Sequence, residues 1–145
     1  MVYYITYEEY TTMGGTLDET LFNSLRIDAQ GYIDWHTFNR LWKEEWRTES
    51  IMERVQICMY QLIKLLAVTN NMLAPQVQST GGINVNAQVT SQSNDGVSTQ
   101  YAVFSADTLY AKAKNEIDDC INRYLSGLMN SAGRKLLYRG LYPNE

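Results

Sequence analysis

Between Ser50 and Thr69 the chain reads SIMERVQICMYQLIKLLAVT, and Met52, Val55, Met59, Leu62 and Leu66 recur at spacings of three and four. That is the repeat of one face of an α-helix. Ile51, Cys58 and Leu65 widen the apolar face on one side and Ile63 on the other, while Glu53, Gln56, Tyr60 and Lys64 fall opposite. A stripe this broad belongs to a helix packed by neighbours on several sides. It names a core in which Met52, Val55, Cys58, Met59, Leu62 and Leu66 meet Leu25, Ala29, Ile117, Ile121 and Leu125. Ser50 with Glu53 three residues later reads as a capping box that starts this helix, expected over 51–69.

The flanking segments supply partners for it. Thr6 with Glu9 forms an earlier capping box, and Gly14-Gly15 closes a short helix at about 7–13. Thr16 with Glu19 repeats the signal for a helix over 17–40 carrying Phe22, Leu25, Ala29, Tyr32 and Ile33. Gly31 inside it costs roughly 1 kcal/mol relative to alanine, which suggests a close helix–helix approach there. The stretch 34–47, DWHTFNRLWKEEWR, admits two readings. Phe38, Leu41, Trp42 and Trp46 continue the helix, or the chain turns near Thr37–Arg40 and restarts. Asp34, Thr37 and Arg40, at i, i+3 and i+6, read first as a local helix-end network and second as a contact with a neighbouring subunit.

Asn70-Asn71 and Pro75 end the central pattern. Beyond them the chain is rich in Gln, Ser, Thr, Asn and Gly, a loop or a β-excursion. From Gln88 onward alternation on both sides of Asp95-Gly96 favours a hairpin over 88–103, because a type I′ turn needs positive φ at both central residues. Val89, Val97, Tyr101 and Val103 would then need a partner surface, since a lone two-stranded ribbon is only marginally stable. Ser105 opens a helix over 106–126 with Tyr110, Ala113, Ile117, Cys120 and Tyr124 on one face, and Gly127 suits its C-terminal cap. Residues 129–145 read as a tail, which either offers its leucines and tyrosines to a partner or folds back to cover its own bundle. The expected architecture is mainly α: one domain, a small helical bundle with an inserted β-hairpin.

No constellation for chemistry emerges. His36 is the single histidine and no motif surrounds it. Asp118-Asp119, Glu44-Glu45 and Glu8-Glu9 are adjacent carboxylates, which do not face each other on a helix. Gly81-Gly82 lacks the lysine of a phosphate loop, and Asn94-Asp95-Gly96 lacks the remaining oxygens of a calcium loop. The expectation is no enzyme, no cofactor and no metal. A net charge of −4 argues against a dedicated nucleic-acid binder. Cys58 and Cys120 read as buried free thiols of a reducing compartment. No secretory signal is apparent, and Ile57–Val68, interrupted by Gln61 and Lys64, is too short to span a bilayer. Eleven tyrosines and three tryptophans favour a chain that assembles.

Three stretches, YITYEEYTTMGG with AQGYIDWHTFNRL, then VTSQSNDGVSTQY, then AGRKLLYRG, resemble in this order the head–tail connector (adaptor, head-completion) proteins of tailed bacteriophages and prophages. Gly31, Trp35, Trp42 and Trp46 have no counterpart in that pattern. The resemblance implies a non-enzymatic, α-helical subunit of a homo-oligomeric ring under the portal. Such a ring extends the DNA channel, without sequence-specific DNA binding, to the next head-completion or tail protein. It would be assembled in the bacterial cytoplasm and carried in the virion. In that family the C-terminal segment engages the portal, which would give Leu137, Tyr138, Arg139 and Leu141 that role. Val89, Val97, Tyr101, Val103, Asp34 and Arg40 would be candidates for contacts between subunits. Two other classes stay open: a small regulatory helical domain that binds a protein, and a DNA-binding phage protein using Lys112, Lys114, Arg134, Lys135 and Arg139.

Overall fold

A computed structural model describes residues 2–78, 88–92, 99–102 and 106–143; over 72–78, the two strands and Ala106 it gives the backbone course alone. The protein is mainly helical. Helix α1 spans Tyr7–Thr12 and α2 spans Glu19–His36. Two single 3-10 turns follow, Arg40–Trp42 and Glu44–Trp46. Helix α3 runs over Glu49–Gln78, strands β1 and β2 over Gln88–Gln92 and Thr99–Ala102, and α4 over Ala106–Leu125. The chain divides into two compact units, 1–67 with 116–145, and 68–115.

The first unit holds a core organised on α3. Ile51, Val55, Cys58, Met59, Leu62 and Ile63 are fully enclosed, with Leu66 just inside. From α2 come Phe22, Leu25, Ala29 and Ile33, and from α4 come Ile117, Cys120, Ile121 and Leu125. The expected stripe therefore faces its expected partners, except that Met52 sits at the margin, only partly buried. Aromatics close one side: Tyr10 lies 4.8 Å from Phe22 and 5.7 Å from Tyr60, centroid to centroid.

Local chemistry sets the helix ends, not always where the pattern placed them. The Thr6–Glu9 capping box forms in full, Glu9 N–H donating to Thr6 Oγ1 and Thr6 N–H to Glu9 Oε2. Helix α2 is capped by Asp18 rather than Thr16, its carboxylate accepting from Leu21 N–H at 3.0 Å. The Tyr7 hydroxyl donates to Leu17 O and the Tyr10 hydroxyl accepts from Leu17 N–H, which keeps 16–17 outside the helix. Helix α3 starts at Glu49, its first ladder bond running from Met52 N–H to Thr48 O, so Ser50 is inside the first turn and not its cap.

That helix also continues through Asn70-Asn71 and Pro75 to Gln78, well past the expected end at 69. Asparagine is only mildly unfavourable in a helix, and extending an existing helix is far easier than starting one. Gly127, at φ +81°, follows α4 in the left-handed position that favours glycine.

In the second unit β1 and β2 pair antiparallel, with Val89 opposite Tyr101 and an irregularity between Val89 and Ser91. The Asn94-Asp95-Gly96 turn, Val97 and Val103 lie outside the described residues. Tyr110, expected on the apolar face of α4, is exposed, whereas Ala113 is buried.

Candidate functional site: the end of helix α2 and the C-terminal segment

Helix α2 does not run to residue 40. It ends at His36, and the chain turns at once. The Asn39 N–H reaches back to Asp34 O and the Phe38 N–H to Trp35 O, the paired bonds of a Schellman motif. Its left-handed position usually holds glycine; here it holds Phe38, at φ 54°, followed by Asn39 at φ 58°. A side chain in that conformation costs about 1–2 kcal/mol. Thr37, fully buried, returns its hydroxyl to Ile33 O at 2.8 Å, so it caps the end it terminates.

The turn aims Arg40 inward. Arg40 is 1% exposed, and its guanidinium donates to three main-chain oxygens of the C-terminal segment: Leu136 O at 2.9 Å, Tyr138 O at 2.6 Å and Gly140 O at 2.7 Å. The segment turns at 136–137 and bends at 139–140, which brings the three carbonyls to one side, where one planar fork collects them. The ring of Tyr142 stands over the same guanidinium at 4.9 Å. Arg40 is thus not a surface residue free to meet another subunit; it holds this chain's own C-terminus.

Residues 129–143 are accordingly not a loose tail. A tight turn precedes the segment: Asn130 Oδ1 accepts from Ala132 and Arg134 N–H, and Met129 bridges to Lys135. Leu136 is fully buried in the core and Leu137 packs partly against it. Tyr138 and Leu141 face outward, 49% and 84% exposed, with Arg139 exposed between them. Of the four residues expected to meet a partner, three are available at the surface and Leu137 is half committed to the fold.

Asp34 lies on the other side of the turn. The buried Tyr4 hydroxyl donates to its Oδ1. Burial, followed by the bond to Asp34, pushes the Tyr4 phenol far above its ordinary range. His36 Nε2 lies 2.9 Å from Asp118 Oδ1, joining α2 to α4 within the same unit, and Trp35 meets the His36 ring edge-on at 5.0 Å.

These residues frame a groove of about 540 Å³ lined by Gly31, Asp34, Trp35, His36, Phe38, Asn39 and Arg139. A Cβ at Gly31 would have no neighbour within 4 Å, so this glycine serves no close helix approach. It leaves the groove open. Trp35 and Phe38, which line it, are 71% and 52% exposed, while Trp42, 61% exposed, lies outside its lining. Gly31, Trp35 and Trp42 stood out in the sequence as residues without a counterpart in the connector pattern; nothing in it said that Gly31 and Trp35 line one groove.

Cys58 and Cys120 are free and buried. The hydrogen bond that Cys58 donates toward Cys120, then burial, raises the Cys58 thiol far above its ordinary range. Among the described residues no group of three or more acidic, histidine or cysteine side chains converges as a metal site, and no helix is long and apolar enough to cross a membrane. Comparison with family models, with curated proteins and with solved structures returns no match.

Proposed function

We infer that the protein is a non-enzymatic structural subunit of a phage or prophage head–tail connector ring. In this reading it docks under the portal and carries the DNA channel to the next head-completion or tail protein. The observation that carries it is the C-terminal segment. Its backbone is clamped by Arg40 while Tyr138, Arg139 and Leu141 are turned outward. A segment held by main-chain bonds keeps its outward side chains for another molecule, and apolar side chains left exposed in a cluster mark an interaction site. Pre-ordering lowers the entropy lost on docking. The exposed tryptophans around the end of α2 give a second surface for neighbours in such a ring. The acidic chain suits a wall that DNA slides past rather than one that grips it.

Co-sedimentation with portal rings formed by the portal subunit of the same genome tests the reading. The wild-type chain is expected to travel with the rings. The double variant Tyr138→Ala, Leu141→Asp should stay behind while remaining folded, because both side chains lie outside the core and Tyr138 gives up only its ring contact with Tyr142. Absence of wild-type binding, or unaltered binding by the double variant, overturns the portal assignment.

A further inference from the structure

The groove at the end of α2 has unusual construction. Phe38 occupies a left-handed position that glycine fills at less cost, and Gly31 occupies a helical position that alanine fills at less cost. Both choices work against stability, and both shape the same groove: one supplies an aromatic wall and the other removes a side chain from the floor. Of the ionisable side chains lining it, Asp34 is engaged by Tyr4 and His36 by Asp118. Arg139 has no hydrogen bond or ion pair among the described residues, so the groove offers one unengaged cation between aromatic walls.

A complementary surface lies in the following stretch of chain. Trp42 is 61% exposed, and the Arg47 guanidinium holds its carbonyl at 2.9 Å. It is an aromatic knob on a held backbone, of the kind that anchors interfaces. Glu44 and Glu45 follow it on the next turn, both exposed and without side-chain partners among the described residues. An aromatic knob with two carboxylates meets an aromatic groove with one cation.

We propose that copies of this chain associate head to tail, with Trp42, Glu44 and Glu45 of one copy seated in the groove formed by Gly31, Trp35, Phe38 and Arg139 of the next. The contact joins two different patches, so it propagates from copy to copy and closes only as a ring. It rests on the connector reading and deepens it by naming the surface between subunits. Charge placed in this way also disfavours the alternative pairings, groove on groove and knob on knob.

Sedimentation velocity over a range of concentrations, with charge reversals, tests the contact. Arg139→Glu alone, and Glu44→Lys with Glu45→Lys, should each weaken self-association by roughly tenfold or more at low salt. The three reversals combined in one chain should restore it. All three side chains are exposed and unbonded, so the melts should match the wild type; Trp35→Ala provides an uncharged second variant expected to weaken association equally. A wild-type chain that stays monomeric, association that stops at a dimer, or reversals without effect overturn the proposal. Rings that form regardless of the reversals break this contact and leave the connector reading intact. Assembly through this contact by a chain that never binds a portal supports the contact and breaks the connector reading alone.

Discussion

Along α3, from Ile51 to Leu66, the interior is reached by side chains, one or two on each turn, and the helix backbone satisfies itself. Between residues 134 and 142 only Leu136 goes fully inside; the segment is held by its own carbonyls on a buried arginine. The first arrangement spreads its stability over many apolar contacts, each replaceable by something of similar size. The second concentrates it in one side chain. A region of the first kind tolerates drift and offers little to a partner. A region of the second kind keeps its outward side chains free, but a single substitution can release it.

The largest expected effect is at Arg40. Arg40→Ala leaves three buried or half-buried carbonyls without their donor and should cost about 3–5 kcal/mol. Lysine should not rescue it, because a point charge cannot reach three oxygens as a planar fork does. Hydrogen exchange should then show 134–142 opening ahead of α3; loss of both together would mean that the two regions are not held separately. Leu62→Ala, fully buried on α3, should cost about 2–5 kcal/mol in a denaturant melt while leaving the C-terminal segment protected. An unmoved midpoint would remove the central role given to α3. Deleting 134–145 takes Leu136 out of the core and should lower the melt as well as any portal binding.

Smaller effects probe the turn between the regions. The Tyr4 phenol is raised in the folded protein, so its neutral form is favoured by folding. That contribution is complete below the ordinary tyrosine range and is lost as pH climbs above about 10. Stability of the wild type should fall there, and Tyr4→Phe should flatten that part of the profile while costing about 1–3 kcal/mol at neutral pH. Smallest, and opposite in sign, are Phe38→Gly and Gly31→Ala. Each should stabilise the chain by up to about 1 kcal/mol in thermal melts, by relieving a left-handed side chain or a flexible helix position. A loss of stability in either would mean that the residue packs in a way the groove geometry does not require.

Much of the helical frame follows from local rules. The spacing from Met52 to Leu66 and from Phe22 to Ile33 specifies a face because a helix repeats every 3.6 residues whatever surrounds it. The Thr6–Glu9 box fixes an end because its bonds close within four residues. Where the reading was displaced, two local solutions competed and packing chose. Tyr7 and Tyr10 hold Leu17, which moved the cap from Thr16 to Asp18. The end of α2 was harder to see, because a Schellman turn built on Phe38 lacks the glycine that normally announces one.

Sequence alone determined the helical class, the face of α3 and the residues that meet it, since periodicity and capping are short-range and written in side-chain types. The fate of the C-terminus was decided only in three dimensions. Arg40 and its acceptors are 96 to 100 residues apart, and the acceptors are main-chain carbonyls, which every residue carries alike. No pattern of side chains can mark them. Only the fold, by bringing the end of α2 beside 136–140, turns an arginine that reads as part of a local helix-end network into the one that holds the chain's end in place.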